Sequence, residues 1–412
     1  MLERRAWGRA LRLLSWVTVF AALLFSSRAA SAYPWMIRHE YQGCVPCHAD
    51  PSGAGILTEY GRAQGDLILR MRYGAPPPEE ASITARFLWG VPLPEWLLLE
   101  GSIRNGYQLN KTSTGITPSF LQMEADMRSQ ITVGRFRAYG GLGYMNKGAK
   151  PTQITRNDTN NLVSREHWLG LDLGDDKQFL LRAGRIPIPF GIRTNEHDLF
   201  VRSTAITRTN FNESQQHGVS LSYNGAMTRG EIMALLGNYQ LGPDKFRERG
   251  YSGFVELSLA PWAAAGLSSK LTYAKTDYLY GTNNTIRQAH GLFARLAPRE
   301  PIVIFVEADA TIETSDKTAA SGGTSPGGVG LLQADFEPIQ GLHIIATGET
   351  WITGNTYLPG ATKPTTAKSF GGGGAINWFF APHADLRFDF LAATLMNGPV
   401  TIYMLPQLHI YL

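Results

Sequence analysis

Only two cysteines occur in the 412-residue chain, and both lie in Cys44-Val45-Pro46-Cys47-His48. Two thiols three positions apart can add to the two vinyl groups of one haem while the following imidazole reaches the iron. The spacing therefore predicts one covalent haem c, with Cys44 and Cys47 as its thioether residues and His48 as the proximal iron ligand. A zinc site would want a second Cys or His pair at suitable spacing, and a thioredoxin-like dithiol would want a surrounding βαβ pattern. Neither accompanies the motif. An incidental disulfide or a free dithiol is the competing reading.

The sixth position at the iron is open between several donors. His39, five residues before Cys44, is the first candidate; Met36 and Met71 are alternatives, and a vacant position is another. A bis-imidazole site has a lower potential than a His/Met site and favours electron transfer, whereas a vacant position admits peroxidase or gas-sensing chemistry. Beyond this the search for catalysis returns nothing: no phosphate-binding Gly loop after a strand, no Gly-x-Ser-x-Gly and no His-Glu-x-x-His. The run Gly371 to Gly374 lacks the Lys and Ser/Thr of a nucleotide loop. An electron-transfer or transport protein is expected, not an enzyme.

Haem of this type is attached outside the cytoplasm, and residues 1–32 read as an export signal. Arg4, Arg5, Arg9 and Arg12 form the basic region, Leu14 to Phe25 is apolar, and Ala30-Ser31-Ala32 is a small-x-small cleavage site. An uncleaved anchor helix is the alternative, disfavoured by Ser15, Thr18 and the Ser26-Ser27-Arg28 end. The segment carries five arginines and one glutamate, which accounts for the whole formal net charge of +4. The mature chain is near neutral, so the basic pI implies neither nucleic acid nor an acidic partner. With both cysteines committed to haem, no disulfide framework is available.

What must position this motif is a long chain of alternating sequence. Leu121, Met123, Ala125, Met127 and Ile131 interleave with Gln122, Glu124, Asp126, Arg128 and Gln130; residues 217–223, 302–309 and 385–390 repeat the pattern. A period of two with one apolar face predicts half-buried strands. Short links fall near Val133-Gly134, Gly174-Asp175, Gly225-Ala226, Pro261-Trp262, Pro298-Arg299, Pro338-Ile339 and Ala381-Pro382. Longer polar loops lie between them, at 110–118, 147–161, 189–214, 240–248, 278–285, 315–326 and 354–366. Alternating short turns and long loops predict an all-β fold: an antiparallel transmembrane β-barrel of about 16 strands in a bacterial outer membrane. No run in the mature chain suits a membrane helix. Trp168, Trp262, Trp351, Trp378, Tyr403 and Tyr411 are expected at an interfacial girdle, and His167, His197, His217, His290, His343, His383 and His409 as lumen or girdle residues. A secreted β-repeat protein is the soluble alternative, but no fixed-period repeat supports it.

The segment Arg182 to Gly191, followed by Asp198-Leu199-Phe200-Val201-Arg202-Ser203, resembles the part of phosphate-selective-type and related outer-membrane porins where a strand enters the long third loop. The resemblance implies a loop after the fifth strand that folds into the lumen, with Arg193, Arg202 and Arg208 at the constriction or ion-paired to Glu196, Asp198 and Glu213. It also implies small solutes and a homotrimer, but not anion selectivity, because no run of lumen lysines is present. The final strand resembles those that direct barrel assembly, although it ends in Leu412 where Phe or Trp is usual. The stretch from Cys44 to Gly55, with Tyr60-Gly61-Arg62, resembles small monohaem domains with the pattern Cys-x-x-Cys-His-x-x-Pro-x-Gly-x-Gly, in which a helix from about Leu57 to Arg70 covers one haem edge.

The expected organisation is a signal peptide (1–32), a c-type haem domain (33–75), a Pro-rich linker (76–96) stiffened by Pro76, Pro77 and Pro78, and the barrel (97–412). The haem domain is too small for an ordinary core and is expected at the barrel mouth or inside it as a plug. The expected function is electron transfer at or across the outer membrane with a periplasmic or extracellular cytochrome partner. The alternative is a solute porin, for anions or other small solutes, whose haem domain is a plug or redox sensor.

Overall fold

The computed structural model describes residues 34–412 except 42, 54, 77, 145–161, 195, 197–198, 205, 208–213, 240–242, 279–280, 317–322 and 357–364. The export signal, Pro77, the expected loop at 147–161, His197, Asp198, Arg208 and Glu213 lie outside the described residues. Among those described, seventeen strand segments form one sheet. They are β1 (Leu97–Thr112), β2 (Gly115–Val133), β3 (Phe136–Tyr144), β4 (Leu162–Val163), β5 (His167–Leu173), β6 (Phe179–Ile186), β7 (Gln216–Asn224), β8 (Thr228–Gly237) and β9 (Arg249–Ala260). The ring continues through β10 (Ala263–Thr276), β11 (Asn283–Arg299), β12 (Ile302–Ser315), β13 (Gly323–Ile339), β14 (Leu342–Thr356), β15 (Thr365–Ala381), β16 (Ala384–Thr394) and β17 (Val400–Tyr411). Each strand pairs antiparallel with its neighbour. Because β4 and β5 both pair with β3, they share one place in the ring, and β1 pairs with β17 as well as β2. The result is a closed sixteen-stranded antiparallel barrel, which leaves no sheet edge.

Alternation assigns the two faces. On β11, Arg287, Phe293 and Arg295 point inward and are buried, while Leu292 is 62 % exposed on the outside. Leu169, Ile232, Leu267 and Phe370 continue this apolar outer surface. No helix among the described residues is long and apolar enough to cross a membrane. The short turns lie where expected, to within two residues. At the β13–β14 turn Gly341 has φ +83°, and a Cβ there would lie 2.5 Å from the Met71 nitrogen. Glycine is required both by the backbone and by the chain packed against it.

Several expectations are corrected. Residues 110–118 are strand, because β1 and β2 meet in a hairpin with only Ser113 and Thr114 between them. Pairing skips Met123 opposite Arg104 and Asn105, and this bulge moves the outward set from Met127 and Ile131 below it to Phe120 above it. Trp168 and Trp351 are inside the ring, not on a girdle: Trp168 stacks on Tyr139 and Trp351 packs against Phe200. Trp262 is exposed at its turn, as expected.

Residues 34–90 fill the short-turn end of the ring. Trp35, Met36, Ile37 and Leu69 share a core with the inward Ala264, Phe293, Val303, Phe305 and Phe379, while Ala49 and Ile56 share another with Tyr139, Trp168, Leu180 and Met233. Arg38 is paired with Asp335 and Glu337, and Arg62 donates to the carbonyls of Leu99 and Leu412 across the β1–β17 seam. The helix expected near 57–70 is α1 (Glu59–Gln64), continued by a wider turn over Gly65–Leu69. The Pro-rich stretch is no free tether. Ser82 N–H donates to Asp66, the Ala85 carbonyl lies 2.8 Å from His383 Nε2 and the Trp89 indole donates to the Pro382 carbonyl at 3.4 Å, tying the stretch to the plug and the rim, while Tyr73 and Gln340 anchor the residues just before it.

The described residues of the loop between β6 and β7, among them Ile192, Arg193 and 199–204, also lie inside the ring, after the fifth strand position. The loop's short helix α2 (Phe200–Ser203) is held by Glu349, which accepts from Phe200 N–H at 2.6 Å, and by Glu307, which accepts from Ile192 N–H at 2.9 Å and pairs with Arg202. Arg202 is thus ion-paired to the barrel wall through Glu307, while Asp198 and Glu213 lie outside the described residues.

Candidate functional site

The haem motif is a tight turn inside the ring. The N–H groups of Cys47 and His48 both donate to the Cys44 carbonyl, at 3.2 and 3.0 Å. His48 then pairs with Leu57, Ala49 N–H donates to the Ile56 carbonyl and Thr58 N–H to the Cys47 carbonyl, so 47–49 and 56–58 form the two arms of a small hairpin. Thr58 caps α1 by accepting from Gly61 N–H at 3.0 Å, while its hydroxyl donates to the Pro46 carbonyl at 2.6 Å. A Cβ on Gly61 would lie 2.3 Å from the Cys47 carbonyl oxygen, which explains the glycine in Tyr60-Gly61-Arg62.

His48 Nδ1 lies 3.2 Å from the Gly55 carbonyl oxygen. A carbonyl only accepts, so Nδ1 carries the proton and Nε2 is the bare nitrogen that an iron binds. Cys44 and Cys47 are buried and are not joined as a disulfide. His39 Nε2 is buried without a hydrogen-bond partner. Cys44, Cys47 and His48 fit a c-type haem: two thiols on one turn and an imidazole whose Nδ1 faces a carbonyl, which leaves Nε2 as the nitrogen that would bind the iron. Among the described residues no group of three or more His, Cys, Asp or Glu is arranged to hold a metal ion by itself.

The wall around the turn is charged and paired. Arg229 Nη1 lies 3.2 Å from Cys44 Sγ, and its Nε and Nη2 donate to Glu256 at 2.7 and 3.2 Å. Glu256 also accepts from Arg295 at 3.0 and 2.6 Å. Asp50 pairs with Arg182, which in turn donates to Glu231 at 2.6 Å and lies over the Trp168 ring. Burial opposes the charge on Asp50, yet the adjacent Arg182 guanidinium and the Ser52 N–H hold its carboxyl below the ordinary carboxylate range.

The candidate sixth ligands lie elsewhere in the plug. His39 stands at the β13–β14 wall, with Glu337 Oε2 3.9 Å from its Nε2 and the Asp335-bound His343 on the other side of Glu337. Burial lowers its pKa, opposed by Glu337 and assisted by Arg38, so the imidazole is held neutral. Met36 is packed in the core, and the Met71 sulfur accepts from the Trp378 indole at 3.1 Å. The Cys44–His48 turn is at the β6–β8 wall instead. Sequence reasoning missed Arg229, Glu231 and Glu256. Their signal was present, since each alternates with outward residues such as Ile232 and Val255 and so had to face the interior.

No family model matches the chain, and neither does any curated protein sequence. Solved structures do. Outer-membrane expressed OmpT of Vibrio cholerae superposes with a TM-score of 0.58 at 9 % identity, covering 78 % of this chain and 100 % of its own. An anion-selective porin from Comamonas acidovorans gives 0.56 at 13 %, covering 77 % and 99 %, and the outer-membrane channel DcaP of Acinetobacter baumannii gives 0.56 at 10 %, covering 77 % and 97 %. A trimer form is among the solved OmpT structures. The fold is that of porin-like outer-membrane barrels. This chain also has an N-terminal segment containing Cys44-Val45-Pro46-Cys47-His48, whose described residues pack into the short-turn end.

Proposed function

We propose that this chain is a bacterial outer-membrane barrel that carries one covalent haem c inside its short-turn end and takes part in electron transfer there. The position of Cys44–His48 carries the reading: Cys44 and Cys47 are buried within the ring, and the Gly55 carbonyl beside His48 Nδ1 supports ligation through Nε2. When bound, the haem supplies one-electron chemistry. Cys44 and Cys47 hold it, His48 binds and orients it, and the paired Asp50, Arg182 and Glu231 keep the turn against the wall. His39 is proposed as the sixth ligand because its Nε2 has no hydrogen bond to give up, whereas Met71 would lose Trp378 and Met36 its core packing. The apolar band of such a membrane is about 25 Å tall. One centre cannot bridge it, so a periplasmic or extracellular cytochrome partner is required.

The solved structures favour a second reading, in which the chain is a solute channel and residues 34–90 are its plug or redox sensor. Haem staining of a denaturing gel, with oxidised and reduced spectra of the extracted protein, separates the two. A covalent low-spin haem without a methionine-to-iron band supports His39 and His48, and electron flow across proteoliposomes only when a cytochrome is added supports the first reading. Conductance that follows haem oxidation state supports the second, and a chain without haem leaves the channel alone.

A further inference from the structure

Two arginines from different parts of the barrel converge beside the haem motif. Arg229, on β8, lies 3.2 Å from Cys44 Sγ through Nη1. Arg193 comes from the inward loop between β6 and β7. The two guanidinium carbons lie 5.7 and 6.0 Å from the centroid of the same ring, Phe254, so both cations lie against one aromatic. Both arginines are buried. Arg229 is also immobilised, since its other two donors are spent on Glu256 and Glu256 is shared with Arg295. A fixed cation in a low-dielectric interior favours the state with one electron more, and salt does not screen it.

We infer that Arg229 and Arg193 are positioning residues that set the reduction potential of the haem held at Cys44, and that the β6–β7 loop acts on the haem through Arg193. This rests on the haem reading above. Through Arg193 the inward loop therefore carries charge to the redox centre.

The test is a redox titration of the haem-loaded, full-length protein, followed by its visible spectrum at low and at high salt. Arg229→Gln and Arg193→Gln are expected to lower the midpoint potential, the first by more, with the low-spin spectrum and haem stain unchanged and with the same shift at both salt concentrations. Arg229→Lys is expected to restore most of the wild-type value, and the exposed Arg249→Gln to leave it unchanged. Haem-loaded variants whose potentials equal that of the wild type, or shifts that vanish in high salt, would overturn the inference. A wild-type chain that carries no haem would instead overturn the reading on which it rests. If Arg229→Gln fails to fold, Arg193→Gln and Arg229→Lys carry the test.

Discussion

At the residue scale the chemistry turns on which atom of each polar group is already engaged. His48 Nδ1 faces the Gly55 carbonyl, so in the proposed haem site it would bind the iron through Nε2. His48→Met is accordingly expected to keep the haem stain, since both thioether bonds remain, while the absorption spectrum changes; Cys44→Ala with Cys47→Ala is expected to lose the stain. Asp50 presents a different balance. It is one of two carboxylates on a fully buried guanidinium, and breaking a buried pair typically costs about 3 to 5 kcal/mol. Because Glu231 stays on Arg182, Asp50→Asn is expected to cost about 3 kcal/mol, the low end of that range. Thermal unfolding of the folded gel band, which should occur at lower temperature in the variant, checks this.

At the element scale the inward loop and the plug are held by the barrel wall more than by themselves. Gly191 has φ +60°, and a Cβ there would lie 2.0 Å from Glu307 Oε1, so the loop passes directly over the carboxylate that anchors it. Glu307→Gln leaves the buried Arg202 without its carboxylate. The variant is expected to free the loop and raise single-channel conductance in planar bilayers, whereas conductance equal to wild type would show that Glu349 and Lys270 suffice as anchors. The rim contact has its own pH dependence. His383, in the β15–β16 turn, has Nε2 2.8 Å from the Ala85 carbonyl, and Arg62, Asp66 and Tyr411 stand around it. Burial lowers its pKa, and Arg62 adds to this, so the folded state holds it neutral while the unfolded state takes a proton below about 6.5. The unfolded state then binds more protons, and stability contributed at the rim is present above that pH and falls below it. Proteolysis within 71–90 is expected to accelerate on acidification from pH 7 to pH 5 in the wild type, and less so in His383→Gln.

At the scale of the whole molecule, the backbone ladder of the ring is independent of its filling, whereas packing and side-chain hydrogen bonds join the two. The backbone ladder closes from β17 to β1 without any residue of the plug. Removing residues 34–90 is therefore expected to leave a heat-modifiable barrel on a gel, with a lower melting temperature and a higher conductance. A deletion that no longer folds would show that the cores built by Trp35, Ile37, Ala49 and Ile56, and the Arg62 clasp across the seam, are needed for closure. The outer face sets a second limit. Leu292→Arg is expected to cost about 2 to 4 kcal/mol if it lies at membrane mid-depth, and unfolding of the variant in lipid measures it.

Much of this architecture was legible in the chain because the chemistry and the fold are each encoded locally. Cys44, Cys47 and His48 fall within one turn, and a period of two with short and long breaks describes a strand meander whatever surrounds it. The strand count followed from those patterns, whereas the inward loop after the fifth strand and the helix behind the motif came from the resemblances to porins and to small monohaem domains. What only the tertiary structure decided depends on closure. Alternation says that Trp168 and Leu169 face opposite ways, but not which way is in; that was settled when the ring closed around the plug and placed Trp168 against Tyr139. The surroundings of the haem motif come from β3, β6, β8 and β9, separated by some hundred residues of sequence, and no local pattern specifies that Arg229 meets Cys44. Sequence alone determined what can be attached and on what kind of wall. Burial inside a closed sheet determined which charges that attachment would meet, because only there do residues remote along the chain share one low-dielectric space.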